Sequence, residues 1–83
     1  MVCEMGDGIG SSEILLDGLY THQGCMDGVR QNHPNANGAK MGDHSLGDVP
    51  CYAEYGMIES WDTSPSEWNW HTCLFIMGNF LFT

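Results

Sequence analysis

Positive charge is almost missing from this chain: Arg30 and Lys40 stand against eleven carboxylates, a formal charge of −9 over 83 residues. Proteins that hold DNA or RNA neutralise phosphates with Lys and Arg, so two cations exclude a nucleic-acid ligand on electrostatic grounds. The same shortage disfavours anionic membrane surfaces. Long apolar runs are missing too. The longest, "CLFIMGNFLF" from Cys73 to Phe82, is about half of the ~20 residues a spanning helix needs, so no transmembrane segment is expected. The opening "MVCEMGDGIG" has neither the basic nor the apolar region of a signal peptide, which leaves the location open between cytoplasmic and mature secreted. Several motifs are absent as well: Cys-x-x-Cys, the P-loop lysine, the EF-hand run and an N-x-S/T acceptor. "GDGIG" is glycine-rich but lacks dinucleotide-binding spacing.

What remains is apolar enough to fold. Hydrophobic residues make up 42% of the sequence and aromatics 11%, which argues against wholesale disorder despite eleven glycines. Residues 1–83 read as a single small domain, too small to bury the share of surface that makes larger domains secure. Reinforcement by cross-links, a metal or a partner surface is therefore expected. The acidic balance favours basic proteins or divalent cations as partners.

Local signals suggest a small α+β fold, irregular and loop-rich. In "SSEILLDGLY", Ser11 or Ser12 is placed to cap a short N-terminal helix weakened by Gly18. Thr21 to Val49 is rich in Gly, Asn, Asp and His and reads as a long middle loop, with turns at Asn37-Gly38 and Gly42-Asp43. "CYAEYGMI" alternates as a strand does. In "TSPSEWNW", Ser64, Pro65 and Glu67 form a capping box, predicting a C-terminal aromatic helix over residues 65–83 with Trp70, Cys73, Leu74, Met77 and Leu81 on one face. The alternative is a C-terminal β-hairpin turning at Gly78-Asn79. The core is expected between Tyr52 and Phe82, with the middle tied down by cysteines.

Four cysteines and four histidines carry the chemistry. Cys3, Cys25, Cys51 and Cys73 allow two disulfides in three connectivities: 3–25 with 51–73, 3–51 with 25–73, or 3–73 with 25–51. Each bridge would contribute about 3 to 4 kcal/mol by restricting the unfolded chain. A metal site is the second reading. "THQGC" spaces His22 and Cys25 as a tight turn presents two ligands, and His44, Cys51, His71 and Cys73 complete a candidate set for zinc, or for copper with help from the six methionines. The third reading makes Cys25, activated by His22, a nucleophilic thiol, although no oxyanion hole or cleft is legible.

"HQGC" followed by "GAKMG" is similar to the bilin-attachment region of cryptophyte phycobiliprotein alpha subunits. The likeness covers under a third of the chain, needs an insertion between its two parts and lacks that family's lysine-rich character, so it does not enter the fold expectation. It implies Cys25 as the bilin-bearing thiol and a loop that clasps a larger partner.

The functional expectation is a non-enzymatic, acidic binding or assembly protein. It would be stabilised by cross-links or by a partner, docked through the C-terminal apolar segment or self-associated there. A zinc- or copper-binding module is the alternative. An artificial or selected sequence, with ligand binding as its only function, also accounts for the unusual composition.

Overall fold

In the computed structural model, which describes residues 1–10, 12–43, 47–64 and 69–75, β structure dominates. The order is β1 (Val2–Met5), β2 (Asp7–Gly8), β3 (Ser12–Leu15), α1 (His22–Asn32), β4 (Gly38–Met41), β5 (Cys51–Tyr55), β6 (Trp61–Asp62) and β7 (His71–Leu74). Five strands form one antiparallel sheet in the order β1-β7-β4-β5-β3, and β2 pairs with β6 in a two-stranded ribbon.

The expected irregular α+β fold is corrected to a mostly β architecture with one short helix, and three element assignments change with it. The segment predicted as an N-terminal helix is strand β3, paired along its length with β5. A helix nucleus fixes several residues for a single hydrogen bond, whereas each residue of this segment stands opposite a partner in β5. The predicted middle loop contains α1 and β4, the latter in the centre of the sheet. The predicted C-terminal helix is overturned at His71–Leu74, which is β7, between β1 and β4. There the strand preference of aromatic and β-branched residues prevails over the helical face. Pro65, Glu67 and the hairpin turn at Gly78-Asn79 lie outside the described residues. "CYAEY" is a strand, as its alternation suggests.

Register sorts the side chains onto two faces, because successive residues of a strand alternate. Cys3, Met5, Ala39, Met41, Cys51, Ala53, His71 and Cys73 share the face covered by α1. The core lies here, where Cys25 and Val29 of the helix meet Ala39, Met41, Cys51, Ala53 and Cys73, with Leu16, Val49 and Phe75 around them. Glu13, Lys40, Tyr52, Glu54 and Thr72 share the opposite face. The ribbon meets this face through Thr72, whose hydroxyl donates to Gly6 O at 2.8 Å and accepts from Gly8 N at 3.0 Å, while Trp61 Nε1 donates to Thr72 O at 2.9 Å.

Helix α1 holds three features in balance. Thr21 caps it, its hydroxyl accepting from Gly24 N at 3.0 Å. Gln23 donates to Asp27 one turn on. Gly24 and Gly28 each cost about 1 kcal/mol of helix propensity relative to alanine, which burial of Cys25 and Val29 offsets. Two glycines are required by geometry. Gly6 turns the chain from β1 into β2 at φ +123°, and a Cβ at Gly38 would lie 2.8 Å from Cys73 O.

Candidate functional site

All four cysteines are consumed in cross-links. Cys3–Cys73 joins directly opposed positions of β1 and β7, and Cys25–Cys51 ties α1 to β5. Of the three possible connectivities, the chain takes 3–73 with 25–51. A disulfide sulfur is neither a thiolate ligand nor a nucleophile, so Cys25, Cys51 and Cys73 leave the predicted metal set and the catalytic-thiol reading is corrected. Cys25 likewise presents no thiol for a bilin.

The histidines separate. His33 Nδ1 lies 2.8 Å from the Tyr55 hydroxyl and joins the end of α1 to β5. His44 lies outside the described residues. His22 and His71, remote in sequence, converge with ring centroids 5.4 Å apart and planes at 78°. His22 opens α1, and its Nε2 is 2.9 Å from Gly42 O.

A second cluster went unrecognised in the sequence. Lys40, one of only two cations, is central in the sheet and 4% exposed. Its ammonium lies 2.9 Å from a Glu13 oxygen and 3.4 Å from Asp7, and sits over the rings of Tyr52 and Trp70 at 4.5 and 4.4 Å. Those rings pack edge to face, so part of the aromatic mass serves as a cover for a buried charge. Burial alone would lower the Lys40 pKa. The Glu13 and Asp7 carboxylates outweigh that and raise it.

Glu54 completes the cluster. It is 2% exposed, and its Oε2 is buried without a hydrogen-bond partner. Leu16 N donates to Cys51 O, the residue directly opposite, so alternation makes the Glu13–Glu54 pair, three positions back, a non-hydrogen-bonded one, the kind in which opposed side chains come closest. Two carboxylates held this way share a proton. Burial first, then the hydrogen bond and charge of Glu13, push Glu54 up to about 8. For Glu13, burial is outweighed by the hydrogen bond with Glu54 and by Lys40, and its pKa falls. Oxygens of Asp7, Glu13 and Glu54 lie within 4.8 Å of one another, but the Lys40 ammonium already pairs with two of the three, Asp7 and Glu13. Beside them opens a cleft of about 420 Å³ lined by Asp7, Glu13, Glu54 and Asp62. The signal was faint: a lone lysine in a four-residue strand, and a glutamate alternating with tyrosine.

No protein-family model, no curated protein and no solved structure matches this chain. Among the described residues no helix is long and apolar enough to cross a membrane.

Proposed function

We propose that the protein is a non-enzymatic binding module that docks a basic, extended segment of a partner protein along β3. The observation that carries this reading is the juxtaposition of an edge strand with the acidic cleft. Strand β3 is at the border of the five-stranded sheet and exposed throughout. Because Leu16 N points to Cys51 O, alternation turns the backbone groups of Glu13 and Leu15 outward, where a further strand can pair. Ile14 and Leu15, 48% and 56% exposed, offer apolar contacts on opposite faces. Glu13 belongs to both the edge and the cleft.

Charge selects the partner. Lys40 offsets Glu13 and Asp7 only in part and Arg30 lies over Phe75, so the cleft, which also holds Asp62, stays acidic. A Lys or Arg from a docked strand would enter the cleft and supply the donor that Glu54 Oε2 lacks. A second acidic copy would be repelled, which turns the reading away from self-association.

The test is a calorimetric titration with an alternating Lys-Val octapeptide and its Glu-Val counterpart. Binding of the first alone is expected, weakening with salt and weakened again by L15P, which removes an outward N–H, and by E13Q. Equal binding of both peptides, or of neither, contradicts the proposal.

A further inference from the structure

Three side chains on the helix-covered face of the sheet stand in one row across three strands. His71 of β7 is opposite Met5 of β1 on one side and Met41 of β4 on the other. Opposed residues in antiparallel strands have Cβ atoms about 5 Å apart, so two thioethers flank one imidazole. Over this row runs the start of α1, which contributes His22 and, one turn later, Met26. All five residues line a single cleft of about 340 Å³.

We infer that this cleft is a binding site for a soft monovalent metal ion, cuprous copper, held by the imidazoles of His22 and His71 and the thioethers of Met41 and Met26, with Met5 at the mouth. The donor set decides the metal. Thioether sulfur and imidazole nitrogen suit Cu(I), whereas Mg and Ca require oxygen and structural zinc is normally completed by thiolates. Here the neighbouring cysteines are in a disulfide, which leaves the thioethers as the sulfur donors. Spacing agrees. Two imidazoles sharing an ion at about 2.0 Å from a nitrogen of each have centroids roughly 5 to 6 Å apart, and these are 5.4 Å apart.

The surroundings support the same assignment. His22 Nε2 donates to Gly42 O, the kind of bond by which a backbone carbonyl commonly orients a metal-binding histidine. Burial is graded: Met41 is 1% exposed at the base of the cleft and Met5 is 59% exposed at its rim, which describes a path inward for an ion. The site uses no part of β3 or the acidic cleft and stands independently of the protein-binding reading. The competing account is an edge-to-face histidine contact surrounded by packing methionines, and it predicts no metal affinity.

The oxidised protein, confirmed free of titratable thiol, would be titrated anaerobically against the Cu(I)–bicinchoninate complex with ascorbate present. Withdrawal of one equivalent of copper is expected. M41L, which conserves volume, and H71N are each expected to weaken binding at least about tenfold. M57L should leave it unchanged, since Met57 lies against Gly8 and Gly38 on the other side of the sheet. If H71N fails to keep the wild-type circular dichroism, M41L alone decides. Failure to withdraw copper, or wild-type affinity in M41L, overturns the inference. So does zinc occupancy that matches copper and is indifferent to M41L.

Discussion

Glu13 and Glu54 show how one register position generates chemistry. Their strands bring two carboxylates together, and the fold answers by keeping a proton on the buried member. A carboxyl raised from 4.5 to about 8 binds its proton in the folded chain after the unfolded chain has lost it. Its effect is neutral below about pH 4.5, where both states are protonated, and stability then falls as pH rises towards 8 and levels off beyond. Glu13, whose folded pKa is lowered, acts in the opposite sense: its contribution is present above about 4.5 and is lost as pH falls. Together the pair places its greatest contribution to stability close to the ordinary carboxyl value of 4.5. The prediction is that E54Q, which keeps the shape and supplies an amide donor to Glu13, flattens the decline between pH 5 and 8. It should raise stability at pH 8 by about 1 to 3 kcal/mol while changing little at pH 5, as read from urea melts at the two values. A wild-type slope retained in E54Q would show that the proton resides elsewhere.

At the scale of elements, what the sequence made legible follows from the range of the interactions. "CYAEY" reads correctly because alternation is local and its partners accept it. "THQGC" is harder. Thr21 is a sound N-cap, yet the helix it starts contains Gly24 and Gly28 and is held by burial and by a bond to Cys51, twenty-six residues away. "HTCL" carries both a helical and a strand pattern, and only its neighbours β1 and β4 decide between them. Of the predicted ligands, His22 and His71 do meet, whereas the three cysteines are bonded to other sulfurs. The Lys40 cluster draws on four separate strands, so its local trace is faint. The balance within α1 is measurable. Thr21→Ala should cost about 1 kcal/mol by removing the cap. Gly28→Ala should stabilise by about 0.5 to 1 kcal/mol, because its Cβ meets only Leu16 and Tyr20 side-chain atoms at 3.4 Å or more. Denaturant unfolding of the two variants is expected to shift in opposite directions.

At the scale of the whole molecule, the two bridges are nested, 25–51 inside 3–73. The outer one fastens β1 to β7 and closes almost the entire chain; the inner one clamps α1 over the core. Restriction of the unfolded chain by loops of these lengths is worth about 3.5 and 4.5 kcal/mol taken singly, a large share of the 5 to 15 kcal/mol typical of folded domains. A small core of alanines, cysteines and a few larger side chains therefore leans on covalent help, and both proposed sites depend on the sheet that help secures. Cyanogen bromide cleavage of the unreduced protein tests the pairing most directly, because the methionines at 1, 5, 26, 41, 57 and 77 put each cysteine in its own fragment. Mass spectrometry should find fragment 2–5 joined to 58–77, and fragment 6–26 joined to 42–57. Four unlinked fragments, or any other pairing, would contradict the account.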